Sequence, residues 1–415
     1  MGSQALADLA ISPIPGLWIT GLASQYPPHL IQPEKLDDAA ARFGHDLESP
    51  GLKKLLQVNR HTGIKTRSMV STYQDGFATG SELPSIVEID NYFRQVGVDL
   101  AAQACRKALR ESGYGPEDIT HTVAVTCTNE GNPGYDLLVA RQLNLPHTID
   151  RTLLHGVGCA GGLSILRTAG QLALAATYRQ RPARVLCFAC ELCSPNIRRE
   201  MHEAERCPDP ADICIGGALF SDAAAAFVLC NEYAMMASSD TGSLKNDGPR
   251  GRRLFQLLEW GSATIPDTED ELGWYTEPLG RRAILSRNVP GYTKKAIRPM
   301  FEQLLPSYQA KAGTGTGTDL LQPDNFDWAL HPGGGTIIEG AQQVLGLTGD
   351  QLRASREIYE TRGNSSSPTV LAVLDELRRT GGRGRDHVVA TSFGPGLMIE
   401  MAMLRRCRGE GEEEE

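Results

Sequence analysis

Three residues of types able to do chemistry stand in three separate small-residue settings. Cys159 lies in LHGVGCAGG, residues 154 to 162, just ahead of a long apolar run. A thiol at a strand-to-helix turn gains two things: small neighbours let a substrate approach, and a helix N-terminus favours the thiolate. A cysteine in a tight turn is as readily a small buried hydrophobe, so the stretch alone leaves filler and nucleophile open. WALHPGGGT sets His331 straight after an apolar segment, where Pro332 holds it extended and three glycines keep the nearby space open. RGNSSSPT puts Asn364 in a turn, followed by serines able to cap a helix and by Pro368 near its first turn. A lone histidine and a lone turn asparagine each have a structural explanation. Together, however, Cys159, His331 and Asn364 each occupy the mouth of an element, where α/β proteins keep their chemistry.

The elements that must position them are visible as pattern. HTVAVTC (121–127), RVLCFAC (184–190), FDWAL (326–330) and HVVATSF (387–393) read as buried strands. LSILRTAGQLALAATY (163–178) reads as a largely buried helix and TVLAVLDELRR (369–379) as an amphipathic one. Strands alternating with helices predict a layered α/β fold with buried sheets. Similar sets early and late in the chain predict two related halves, residues 1–237 with the cysteine and 254–407 with the histidine and asparagine. SSDTGSLKNDGPRGRR (238–253) and KAGTGTGTD (311–319) are polar and glycine-rich, so both are expected as surface loops, the first as the seam.

Composition narrows the function classes. Of the formal net charge of −9, five units come from Glu410 and Glu412 to Glu415, an acidic tail (408–415) expected to be disordered; without those five the balance is −4. No run of 18 apolar residues predicts a membrane span, and the opening MGSQALADLAISPIPG is not a secretory signal. Ten dispersed cysteines then read as reduced thiols in a cytoplasmic protein. CFACELC places Cys187, Cys190 and Cys193 at a metal-like spacing, but 187 and 190 fall on opposite faces of a strand. No histidine or second CxxC completes four ligands, so no metal is expected. The segment LKKLLQVNRHTGIKTR (52–67) holds five Lys or Arg and no acid, but lacks the aromatic interleaving and net positive charge of a nucleic-acid site.

GCAGG, LRTAGQLA, ARVLCFACE, GGALFSDAAAAFVL, LHPGGG, GNSSSPTVLAVLDE and SFGPGL, all in order, strongly resemble the type III polyketide synthases. The likeness runs from GIKTRSM to the last strand, and the GNPGYDLLVARQL segment is similar to fungal members that make alkylpyrones, alkylresorcinols or resorcylic acids. The resemblance implies a thiolase fold of two stacked αβαβα halves, a homodimer, coenzyme A thioesters as substrates, and neither a cofactor nor a carrier protein. It implies that Cys159 takes a starter acyl group, and that His331 and Asn364 bind the thioester carbonyl of malonyl-CoA while enolate charge develops there. It also implies that His331 helps to hold Cys159 as thiolate.

Other positions follow from the same resemblance. Phe220 matches a gatekeeper phenylalanine between the coenzyme A tunnel and the reaction chamber. Ala283 falls on the second gatekeeper, often Phe, and is expected to widen the chamber; Trp274 falls on a position that is often small and is expected to refill part of it. Cys127, Asn196 and Ser366 match cavity or acyl-tunnel positions. Lys54, Arg60, His61 and Gly333 match the coenzyme A contacts, the family's middle basic position being Gln57 here. A medium or long acyl starter is expected. Two alternatives remain at this stage, an initiating ketoacyl synthase fed by a carrier protein and a catalytically silent scaffold of the same fold. A papain-like protease shares the Cys, His, Asn order but not the surround of the nucleophile.

Overall fold

The structure is a computed structural model and describes residues 16–237, 251–314, 321–379 and 384–408. Its strands are β1 (Leu17–Gln25), β2 (His29–Ile31), β3 (Arg67–Met69), β4 (His121–Val125), β5 (Asp150–Leu154), β6 (Arg184–Leu192), β7 (Asp222–Asn231), β8 (Phe255–Thr264), β9 (Leu272–Glu277), β10 (Gly280–Leu285), β11 (Phe326–Leu330), β12 (His387–Gly394) and β13 (Met398–Arg406). The helices that matter below are α1 (Pro50–His61), α2 (Val98–Ser112), α3 (Gly161–Tyr178), α4 (Ile197–Arg206), α5 (Gly216–Leu219), α6 (Val289–Ala312), α7 (Gly335–Leu345) and α8 (Thr369–Arg379).

Nine strands form one sheet in the order β11-β12-β13-β8-β1-β7-β6-β4-β5. Each half repeats one motif: a parallel pair (β4 and β6, or β11 and β12) followed by an antiparallel strand (β7 or β13). The halves join where β1 meets β8 antiparallel, through the pairs Trp18 with Gln256 and Ile19 with Phe255.

The layers follow from which strand faces are apolar. Alternate strand residues Val123, Val125, Val185, Cys187, Val388 and Ala390 share a central core with Leu163 and Leu166 of α3 and Val370 and Leu374 of α8. The opposite strand faces pack on α2 in the N-terminal half and on α6 and α7 in the C-terminal half. Helix, half-sheet, paired helices, half-sheet, helix is the duplicated αβαβα arrangement. Buried on both faces, these strands must be apolar throughout, which is why they read so clearly. Cys187 and Cys190 fall in different layers, and among the described residues no cluster of His, Cys, Asp or Glu could hold a metal ion. No described helix is long and apolar enough to cross a membrane.

Two boundaries differ from the sequence pattern. The expected loop at 311–319 begins inside α6, which runs through Ala312 and ends at Gly313 in the left-handed conformation that glycine allows at a helix C-terminus. The strand expected over 121–127 stops at Val125, because Cys127 turns its N–H to Glu191 instead of to a neighbouring strand. Residues 238–250 of the expected seam and 409–415 of the acidic tail lie outside the described residues.

Candidate active site

Cys159 occupies a single 3-10 turn, Gly158–Ala160, between β5 and the start of α3. The glycines around it serve close packing as much as open space. Gly158 has φ +44, and a Cβ there would meet Pro395 Cδ at 2.6 Å. A Cβ on Gly162 would lie 2.5 Å from the Ser367 carbonyl oxygen. Small residues therefore let the first turn of α3 press against the segment that carries Asn364, Ser366 and Ser367.

That contact gives the thiol its partner. Cys159 Sγ donates to Ser366 Oγ at 3.4 Å, and Cys127 Sγ lies 3.7 Å from the same oxygen. Ser366 has φ +58, a conformation that strains a serine, and its N–H donates to Asn364 Oδ1 at 2.8 Å, which helps to hold the turn. Burial pushes the Cys159 thiol up to about 11, opposed by the Ser366 hydroxyl. Ser366→Ala removes the hydroxyl that can turn to donate to the thiolate, a bond worth about 1 kcal/mol, so alkylation of Cys159 by iodoacetamide at fixed pH is expected to slow by about fivefold. An unchanged rate would mean that the hydroxyl does not support the thiolate.

His331 follows β11 directly, its N–H bonded to the Thr391 carbonyl at 2.8 Å. The ring is 2% exposed, and neither nitrogen has a hydrogen-bond partner among the described residues. Burial alone lowers its pKa to about 3, so the imidazole is neutral and presents one N–H and one lone pair. Neither His331 nitrogen bonds to Cys159, whose thiol donates to Ser366 Oγ. Asn364 sits against the other side of the HPGGG turn: its Nδ2 donates to the Gly333 carbonyl at 3.4 Å, and Gly333 donates back to the His331 carbonyl at 3.0 Å. Gly333 thus couples the two. The backbone of Asn364 is bonded on both sides of Phe220, its N–H to the Leu219 carbonyl and its carbonyl to the Ser221 N–H.

A narrow apolar cavity of about 30 Å3 gathers Cys127, Cys159, Phe220, Trp274, Ala283 and Ser366 on one wall system. The pairing of β9 with β10 sets Trp274 directly opposite Ala283, and the Trp274 ring meets Phe220 edge to face at 5.7 Å. The large side chain therefore stands beside the small one. Two lining or supporting residues escaped the sequence reading. Cys193, just after β6, also lines the cavity. Glu191, fully buried at the end of β6, accepts from Thr126, Thr128, Ser367 and the Cys127 N–H, tying the cavity floor together. The signal was present: one carboxylate inside an otherwise apolar strand, which only a set of donors makes tolerable.

Asn196 departs from its expected place. It is absent from the cavity wall because its amide is fully engaged: Oδ1 accepts from the Arg281 N–H at 2.7 Å, and Nδ2 donates to the Arg281 carbonyl at 2.8 Å. The basic stretch also changes meaning. Arg67 is 1% exposed and donates inward to the Gly217 and Phe220 carbonyls. Lys53, Arg60 and Lys65 pair with Glu48, Asp37 and Glu360, and the His61 ring nitrogen meets the Gln57 carbonyl. Of that stretch's basic residues Lys54 has no ion pair among the described residues.

A half-buried thiol, a neutral imidazole and a carboxamide at the adjoining ends of two αβαβα halves define the class of thiolase-fold condensing enzymes. The sequence matches two family descriptions, "Chalcone and stilbene synthases, N-terminal domain" over residues 18–232 and the corresponding C-terminal domain over residues 259–408. It is 60% identical over 402 residues to the type III polyketide synthase pspB of Penicillium soppii, covering 95% of this chain and 98% of that one. It is 34% identical to the acylalkylpyrone synthase csyB of Aspergillus oryzae, covering 94% of each. The solved type III pentaketide synthase of Neurospora crassa superposes with a TM-score of 0.85 at 38% identity, over 94% of this chain and all of that one. The chain belongs to the chalcone and stilbene synthase family, the type III polyketide synthases, acyltransferases that join acyl units by decarboxylative condensation.

Proposed function

We propose that the protein extends a medium- or long-chain acyl-CoA starter with malonyl-CoA and closes the chain to an alkylpyrone, alkylresorcinol or resorcylic acid. The observation that carries this is the apolar cavity around Cys159, opened at Ala283 and walled by Phe220 and Trp274. In this reading Cys159 attacks the starter thioester, releases free coenzyme A and carries the acyl group. His331 and Asn364 donate to the malonyl thioester oxygen as carbon dioxide leaves, and the resulting carbanion attacks the acyl-Cys carbonyl, forming the carbon-carbon bond and releasing the Cys159 thiolate. A dry, apolar wall strengthens those hydrogen bonds and protects the acyl-enzyme from water. Cys127 and Ser366 shape the wall, Lys54 and Gly333 meet the coenzyme A, and Arg60 and His61 stay engaged with the protein. The reading needs no cofactor and no carrier protein, and the chain works as a cytoplasmic homodimer. The name of the Aspergillus relative, an acylalkylpyrone synthase, agrees with a pyrone product.

Incubation with malonyl-CoA and acyl-CoAs from acetyl to octadecanoyl, without carrier protein, tests the proposal. Best turnover with the shortest starter, or no pyrone or resorcinol at all, would contradict it. Ala283→Phe is expected to refill the cavity and, at a cost of about 1 to 3 kcal/mol for an overfilled site, to lower kcat/KM for long starters by roughly tenfold or more relative to short ones. Equal losses for all lengths would place Ala283 outside the acyl path.

A further inference from the structure

Glu200, on α4, is a buried carboxyl that the proposed chemistry does not use. It is 5% exposed; Oε1 accepts from Asn196 Nδ2 at 3.4 Å, and Oε2 has no hydrogen-bond partner among the described residues. It lies where two walls of the chamber are tied. On one side Asn196 clamps the Arg281 backbone of β10, two residues before Ala283. On the other, a Cβ on Gly216 of α5 would lie 2.6 Å from Oε2 and 2.8 Å from the Phe220 ring, so carboxyl, helix and gatekeeper ring meet at one point. Arg67 holds the same helix from β3 through the Gly217 and Phe220 carbonyls.

Glu200 also lines a second, larger cavity of about 690 Å3, which shares Ala283, Ile284 and Leu285 with the chamber. The strip 283–285 is thus shared by the two spaces, and the carboxyl is bonded to Asn196 on one side and lies against Gly216 on the other. We propose that Glu200 is a positioning residue that sets the width of the passage between the outer cavity and the chamber, and so discriminates among starter chain lengths.

Two states of one carboxyl would hold the walls differently. Ionised, it draws the Asn196 amide and the Gly217 N–H toward it; protonated, it releases them and offers an O–H instead. Burial raises its pKa to about 7, against the Asn196 amide, the Gly217 N–H, Arg67 from β3 and Arg199 from its own helix; the Cys214 thiol beside it is raised by burial and stays neutral. Both states are then populated near neutral pH.

The inference rests on the acyl-extension reading, and one experiment separates the two. With the purified full chain, kcat/KM is measured for hexanoyl-CoA and dodecanoyl-CoA at pH 6 and pH 8, alongside decarboxylation of malonyl-CoA without starter. In the unaltered protein the ratio of the two starters is expected to shift by about threefold or more between the two pH values, the scale of one hydrogen bond. Glu200→Gln is expected to hold the ratio near its pH 6 value at both, with decarboxylation unchanged. Glu200→Asp, which still titrates, is expected to restore the pH dependence around a different ratio. A ratio that follows pH equally in the glutamine variant overturns the role of Glu200. So does a glutamine variant whose decarboxylation falls in step with both starters, or one that fails to fold while the aspartate variant shows no pH-dependent ratio. If the unaltered protein extends neither starter, both readings fall.

Discussion

Cys159→Ala is expected to leave the fold intact and to abolish acyl loading. The incubated variant will show no mass increment with any acyl-CoA, and product formation will fall by on the order of 10^4-fold or more, the scale on which removal of an activated nucleophile acts. The fold should survive because the side chain donates one hydrogen bond, to Ser366, and alanine is small enough for the turn that Gly158 and Gly162 make tight. The same variant should still release carbon dioxide from malonyl-CoA, since His331 and Asn364 remain and the carbanion can take a proton from water. Loading at the normal rate would remove Cys159 from the mechanism. Loss of both loading and decarboxylation with a folded protein would show that the thiol also shapes the donor site. The outcome also bears on the protonation of the thiol. With the thiol pushed to about 11 by burial, only a small fraction is thiolate at neutral pH. An incoming thioester then meets mostly thiol, and the proton must leave during attack.

How much of this was readable from the chain alone follows from where each residue's partners lie. The strands β4, β6, β11 and β12 and the helices α3 and α8 were legible because two buried faces demand unbroken apolar residues, a local property. The meeting of Cys127, Cys159, Phe220, Trp274, Ala283 and Ser366 around one cavity followed from ordered motifs. What stayed hidden depends on distant charges. LKKLLQVNRHTGIKTR contains no acid, yet Asp37, Glu48 and Glu360 come to it from elsewhere, and Arg67 turns inward to carbonyls some 150 residues away. Asn196 matched a cavity position, but the turn at Gly280 brings the Arg281 backbone within reach of its amide and removes it from the wall. Glu191 was visible as a lone carboxylate in a strand; its purpose required knowing that Ser367, 176 positions later, folds onto it.

The second large effect concerns the donors. His331→Ala and Asn364→Ala are each expected to cost about 3 to 4 kcal/mol of barrier, or roughly 10^2 to 10^3 in kcat for malonyl-CoA decarboxylation, as loss of one preorganised donor does at other oxyanion sites. The double variant should lose less than the product of the two, because both side chains are assigned to the same oxygen in the same step. Decarboxylation should not gain from protonation of His331 as pH falls from 8 to 5, since burial holds the ring neutral down to about 3. A rise in rate near pH 6, absent in His331→Gln, would show that the imidazolium is the working form and would overturn the neutral-donor reading. The same buried ring leaves a mark on stability. Unfolded, it takes a proton below about 6.5; folded, it resists until about 3. The unfolded state therefore binds more protons in that window, and the contribution of His331 is complete above it and lost as pH falls through it. Glu200 and Asp222, whose carboxyls burial raises to about 7 and about 6, act with the opposite sign. Because both carboxyls are present in either protein, the difference between unaltered and His331→Gln chains isolates the ring. Urea midpoints at pH 7 and pH 4.5 are expected to fall less in the glutamine variant; an equal fall would place the histidine in water rather than in the dry pocket that its chemistry requires.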